Sequence, residues 1–144
     1  MKLPVATQQT VDEPKPTRKP ADAKPGLRIL VVDDNHDTAV GLSKLLGKEG
    51  HRVQTAYDGP SALEVARSER PQVILADIGL PGMDGYELAR EIRKEESTKE
   101  ALLVAISGYG QDEDLRRSRE AGFDHHLVKP VDFDSLIALI GRRN

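Results

Sequence analysis

The sequence predicts an α/β fold in which five parallel strands are covered on both faces by five helices. Short apolar runs alternate with longer segments of helical spacing from Leu27 to the end of the chain. Three of those runs are apolar on successive residues, the mark of strands buried on both faces. Five strand–helix alternations in the 118 residues from Leu27 to Asn144 match a single sheet joined by right-handed crossovers.

The first run is Leu27 to Val32, and Leu42, Leu45 and Leu46 mark the inward stripe of the helix after it. Val53 to Ala56 forms the second run, followed by a weaker stripe of Ala62, Leu63 and Ala66. The third, Val73 to Ala76, leads to Leu88 and Ile92, and the fourth is Leu102 to Ile106. The helix expected next, Asp112 to Ala121, has Leu115 as nearly its only large apolar residue, so it should be the least firmly packed. His125 to Val128 is the last run, and Phe133, Leu136, Ile137 and Ile140 recur at offsets of three, four and seven. The punctuation agrees: Gly50, Gly59 and Gly122 stand at helix ends or turns, Asp84 and Asp132 can cap the helices they precede, and Pro81-Gly82 suits a tight turn.

A chain of 144 residues supports one domain with its own core. The first 26 residues hold five of the nine prolines and few large apolar side chains. Residues 1–26 are therefore expected to be a disordered Pro-rich arm or linker, extended over Gln8 to Pro25, and 27–144 the folded domain. A net charge of -3 gives no reason to expect nucleic acid or an anionic membrane as partner. The lack of cysteine excludes disulfides, zinc–thiolate sites and thiol nucleophiles. No apolar run approaches the roughly 20 residues that cross a bilayer. Met1-Lys2-Leu3-Pro4-Val5-Ala6 lacks the apolar core of a secretion signal, so a cytoplasmic location is expected.

In an open parallel sheet, ligands gather beyond the carboxyl ends of the strands. Asp33 and Asp34 follow the first run, Asp77 the third, Ser107 the fourth, and Lys129-Pro130 the fifth. Singly, each is open to a plain reading: Asp33, Asp34 and Asp37 as helix caps, Asp77 and Ser107 as turn residues, Lys129 as a solvated charge. Together on one edge they form a constellation. Three carboxylates in proximity must raise their pKa values or hold a cation, and an all-oxygen site without His or Cys favours Mg²⁺. A carboxylate flanked by Mg²⁺, a lysine and a hydroxyl suits nucleophilic attack on a phosphoryl group, giving an aspartyl phosphate.

These motifs resemble the receiver domain of bacterial two-component response regulators: Ile29-Leu30-Val31-Val32-Asp33-Asp34-Asn35, Asp77-Ile78-Gly79-Leu80-Pro81-Gly82-Met83-Asp84-Gly85, Ile106-Ser107-Gly108 and Val128-Lys129-Pro130. The spacings of 43, 30 and 22 residues separating Asp34, Asp77, Ser107 and Lys129 fit as well. The resemblance implies a flavodoxin-like, doubly wound (βα)5 three-layer sandwich with strand order 2-1-3-4-5. It implies Asp77 as phosphoacceptor, with Asp33, Asp34, Asp77 and the Gly79 carbonyl around Mg²⁺. Ser107 and Lys129 would bind the phosphoryl oxygens, and a cis peptide is expected before Pro130. In that strand order Lys129 lies two strands from Asp77, about 10 Å along the edge, a gap only a long basic side chain spans.

One position departs from the family. Receivers carry Tyr or Phe three residues before the lysine, as a ring that turns inward when the Ser or Thr moves. Here it is His126, read either as a titratable switch partner of Ser107 or as a surface histidine. His125 should face the opposite way, His36 reads as a surface residue and His51 as an ordinary loop residue. By the same resemblance Gly79 and Tyr109 stand where side chains tune hydrolysis, Tyr109 screening the attacking water.

The implied function is a phosphoacceptor that takes its phosphoryl group from a histidine kinase or histidine phosphotransfer protein. It would signal through the face of the fourth helix, fifth strand and fifth helix. Such a domain catalyses its own phosphorylation and dephosphorylation without being a turnover enzyme. The Lys2-Leu3-Pro4-Val5-Ala6 start is similar to the last strand of a kinase ATP-binding domain. That tilts the reading from a stand-alone regulator toward the terminal receiver of a hybrid sensor kinase. A pseudo-receiver would be expected to lose part of the Asp, Ser and Lys set. A Mg²⁺-dependent phosphohydrolase needs a cap or substrate pocket that these short loops leave no room for.

Overall fold

The structure is a computed structural model describing residues 26–108 and 110–141. The arm expected over residues 1–26 therefore lies outside the described residues except for Gly26, as does Tyr109. The elements follow in order: β1 (Arg28–Val32), α1 (His36–Lys48), β2 (Arg52–Ala56), α2 (Gly59–Glu69), β3 (Val73–Asp77), α3 (Gly85–Lys94), β4 (Leu102–Ser107), α4 (Asp112–Ala121), β5 (His125–Val128) and α5 (Phe133–Gly141). Every strand pairing is parallel and the sheet order is β2-β1-β3-β4-β5, the order the family resemblance implied.

Residue alternation along the central strands builds two cores, one on each face. Ile29, Val31, Val73, Leu75, Val104 and Ile106 pack with Ala39 and Leu46 of α1 and Leu136 and Ile140 of α5. Leu30, Val32, Ile74, Ala76, Leu103 and Ala105 pack on the other side with Ala62, Leu63 and Ala66 of α2, Leu88 and Ile92 of α3, and Ala121 at the end of α4. With both faces covered, β1, β3 and β4 can tolerate almost no polar residue before their carboxyl ends. The edge strands β2 and β5 are only partly buried, which is why their runs are less apolar.

Local chemistry sets the helix starts. Asn35 caps α1, its side-chain oxygen accepting from the Thr38 N–H at 3.1 Å. Asp58 does the same for α2 through Ser61 at 2.8 Å. Before α3, Asp84 and Glu87 form a reciprocal capping box, at 2.9 and 3.3 Å. Gly122 ends α4 at φ 118°, a left-handed cap that favours glycine. The inward stripe of α1 differs from the sequence reading: Ala39, Leu42 and Leu46 face the sheet, and Leu45 is 43% exposed. Positions 39, 42 and 46 are spaced three and seven apart and share a face, whereas 45 is rotated about 100° from 46.

The pole of the sheet where the strands begin is tied by Arg93. Its guanidinium donates to the carbonyls of Lys99, Ala101 and Gly122 and to the Asp124 carboxylate, at 2.6 to 2.9 Å. Asp124 in turn accepts from the Leu103 N–H at 2.9 Å, so one side chain joins the end of α3 to the entries of β4 and β5.

Candidate functional site

Asp33 follows β1, Asp77 and Ser107 are the last residues of β3 and β4, and Lys129 follows β5. Their backbones continue the sheet ladder past the strand ends. The Asp33 N–H donates to the Ala56 carbonyl at 3.1 Å, Ile78 to Ile106 at 3.0 Å and Lys129 to Ser107 at 2.8 Å. The side chains therefore stand on rigid supports.

One carboxylate oxygen from each of Asp33, Asp34 and Asp77 lies within 4.8 Å of the others. Asp33 and Asp77 are buried and Asp34 is exposed. Asp33 Oδ1 accepts from the Asn35 N–H at 2.9 Å, and Asp77 Oδ1 from the Gly79 N–H at 3.0 Å. The ammonium of Lys129 stands 3.3 Å from Asp77 Oδ2. The lysine thus spans the width of β4, so each Asp77 oxygen has a different neighbour: an amide on one, a cation near the other. The Lys129–Pro130 peptide is cis.

Burial raises the Asp33 pKa above the usual carboxylate value, and the charges of Asp77 and Asp34 add to it. The Asn35 amide and Lys129 pull the other way without cancelling it. Three carboxylates against one ammonium leave an excess of negative charge on hard oxygen donors. That donor set fits Mg²⁺.

The structure separates the histidines. His36 is exposed and stacks on Tyr57 with ring centroids 3.7 Å apart. His51 is more than a loop residue, because its Nδ1 accepts from the Leu27 N–H at 3.1 Å. His126 is half-buried and shares a 2.7 Å hydrogen bond with Ser118 of α4. It pairs in register with Ala105, and His125 pairs with Val104, which faces the other core.

Two features of the site escaped sequence reasoning. One is Asn35, whose amide holds Asp33 while its side chain caps α1. The other is Gly85, buried at the start of α3 with its N–H donating to the Ile78 carbonyl at 3.0 Å. A Cβ there would lie 2.7 Å from the Ile78 Cα and 2.8 Å from the Asp77 carbonyl oxygen. Gly85→Ala should therefore push the loop after Asp77 outward and cost about 1–3 kcal/mol, read as a lower urea midpoint with slower phosphorylation. An unchanged midpoint would show that the loop yields freely.

A family profile described as the response regulator receiver domain matches residues 29–141. The chain belongs to this receiver family. Among curated proteins, the receiver is 34% identical over 113 residues to protein PilH of Pseudomonas aeruginosa, covering 78% of this chain and 93% of that protein. It is 37% identical over 120 residues to the sensor histidine kinase RcsC of Salmonella typhi, covering 83% of this chain and 12% of the kinase. Among solved structures, the chemotaxis response regulator CheY4 of Vibrio cholerae superposes with a TM-score of 0.77 at 28% identity, covering 83% of this chain and 99% of that one. The chain is thus a receiver domain of two-component signalling, homologous to phosphoacceptor response regulators. Among the described residues of this receiver, no helix is long and apolar enough to cross a membrane.

The raised Asp33 pKa fixes the sign of a stability test. The folded state holds the Asp33 proton more tightly than the unfolded chain, so its contribution is full at low pH and is lost as pH rises through the folded pKa. At neutral pH without divalent metal, Asp33→Asn should raise the melting temperature by about 4 °C, the shift that about 1 kcal/mol produces in a domain of this size. Melts in EDTA from acid to neutral pH should show the gain shrinking as the medium becomes acidic. A gain independent of pH would sink the electrostatic account.

Proposed function

We propose that Asp77 accepts a phosphoryl group from a phosphohistidine on a histidine kinase or phosphotransfer protein. The observation that carries this reading is the Lys129 ammonium 3.3 Å from Asp77 Oδ2, beside a cluster of three carboxylates. In the transfer, an Asp77 oxygen forms a bond to phosphorus as the bond to the donor imidazole breaks, and the displaced imidazole leaves with its electron pair. The Gly79 amide orients the carboxylate, and Lys129 holds charge that builds on the phosphoryl oxygens. Ser107, at the end of the neighbouring strand, is the hydroxyl for another of those oxygens. Asp33, Asp34, Asp77 and the Gly79 carbonyl are the ligands for Mg²⁺, which when bound supplies charge neutralisation for the incoming phosphate.

Beside the acceptor, a cavity of about 550 Å³ runs between α1 and the segment after β5, lined by Thr38, Leu42, Leu45, Lys129 and Val131 among others. Its apolar wall supports docking of a donor protein there. Output through the face of α4, β5 and α5, without contact to nucleic acid or membrane, and a cytoplasmic setting belong to the same reading. Intact-mass spectrometry after incubation with acetyl phosphate tests it. The expected result is a gain of about 80 Da, one phosphoryl group, with Mg²⁺ and none with EDTA. No adduct under either condition would favour a pseudo-receiver that binds partners without phosphorylation.

A further inference from the structure

α4 buries only Ser118 and Ala121, both small, and Leu115 is half-buried. Within this thin seam, the Ser118 hydroxyl and the Nδ1 of His126 lie 2.7 Å apart. Ser118 itself is 2% exposed. His126 sits mid-strand opposite Ala105, and Ser107 lies two residues further along β4 on the same face. A short physical path therefore runs from the acceptor edge through Ser107 and the paired strands to His126, Ser118 and α4. Beside the pair opens a cavity of about 210 Å³, lined in part by Leu115, Ser118, Phe123 and His126. A hydroxyl both donates and accepts, so it can pair with the ring nitrogen in either tautomer.

We infer that Ser118 is a positioning residue acting through His126. Their hydrogen bond holds α4 and the imidazole in the unphosphorylated arrangement and opposes the change that follows when Ser107 engages a phosphoryl group on Asp77. The inference rests on the phosphoacceptor reading of Asp77. A contact made in one of two conformations biases their ratio by its own free energy, and for a buried neutral hydrogen bond that is about five-fold.

Ser118→Ala should therefore be phosphorylated by acetyl phosphate and Mg²⁺ about five-fold faster than wild type. Its nitrogen–proton spectrum without phosphate should show the amides of α4 and β5 displaced toward their phosphorylated positions, with the His126 imidazole nitrogen shifted likewise. Ser118→Thr keeps the hydroxyl and should return both readouts to wild type. His126→Leu removes the same bond from the other side and should act as Ser118→Ala does, which covers the case of poor folding in the first variant. Wild-type rates and superimposable α4 peaks in Ser118→Ala would overturn the inference while leaving the acceptor reading intact. Ser118→Thr behaving as Ser118→Ala would assign the effect to packing and overturn it as well. A wild-type protein that takes up no phosphoryl group would remove the acceptor reading and this inference together.

Discussion

Asp77→Asn yields a folded protein that acquires no phosphoryl group. Asparagine keeps the size of the side chain and an oxygen for the Gly79 N–H, now held at 3.0 Å by Asp77, so the loop after β3 retains its anchor. The nucleophile is lost because an amide oxygen does not carry the charge that attacks phosphorus. Neither neighbour can take over. Asp33 is 5% exposed with one oxygen on the Asn35 amide. Asp34 is exposed, and the lysine contact of the cluster belongs to Asp77. Removing one of three clustered charges should also raise the melting temperature in EDTA. An 80 Da adduct of wild-type yield on Asp77→Asn would place the acceptor elsewhere.

Lys129→Met should slow phosphorylation by acetyl phosphate about 10²–10³-fold, the usual cost of removing one preorganised charge from a developing oxyanion. Methionine keeps an unbranched stem of similar length, so the comparison isolates the ammonium 3.3 Å from Asp77 Oδ2. The same change should tighten Mg²⁺ binding, because the three carboxylates then lack their neutralising partner. Slower chemistry with stronger metal binding is a signature that general misfolding cannot imitate. Calorimetric Mg²⁺ titration and intact-mass time courses on one preparation measure both. A phosphorylation rate within a few-fold of wild type would exclude Lys129 from the transfer.

Most of the architecture is legible in residue order. Successive apolar residues at Ile29–Val32, Val73–Ala76 and Leu102–Ile106 read as strands covered on both faces, and the chemistry-bearing residues stand where those runs stop. The site residues are legible for the same reason: a polar residue ending a doubly buried strand has one edge to go to. What escapes is whatever depends on contacts between distant elements. Gly85 matters because α3 starts against the backbone of Ile78, a closeness no local pattern encodes. The bond from Ser118 to His126 depends on how α4 is rotated over β5. The cap of α1 was obscured by abundance, since Asp33, Asp34 and Asp37 around Asn35 are all capping types.

All five strands run the same way, so the described chain enters at the pole opposite the acceptor. Gly26 lies so close to Gly50 that a Cβ would collide with its carbonyl, and Arg93 secures that same pole. The entry point at Gly26 therefore lies a full strand length away from Asp77. A surface, a fluorophore or another folded unit attached there should leave the reactive edge unobstructed. Immobilised by its amino-terminal side, the domain presents its acceptor outward, the orientation a biosensor for phosphotransfer requires.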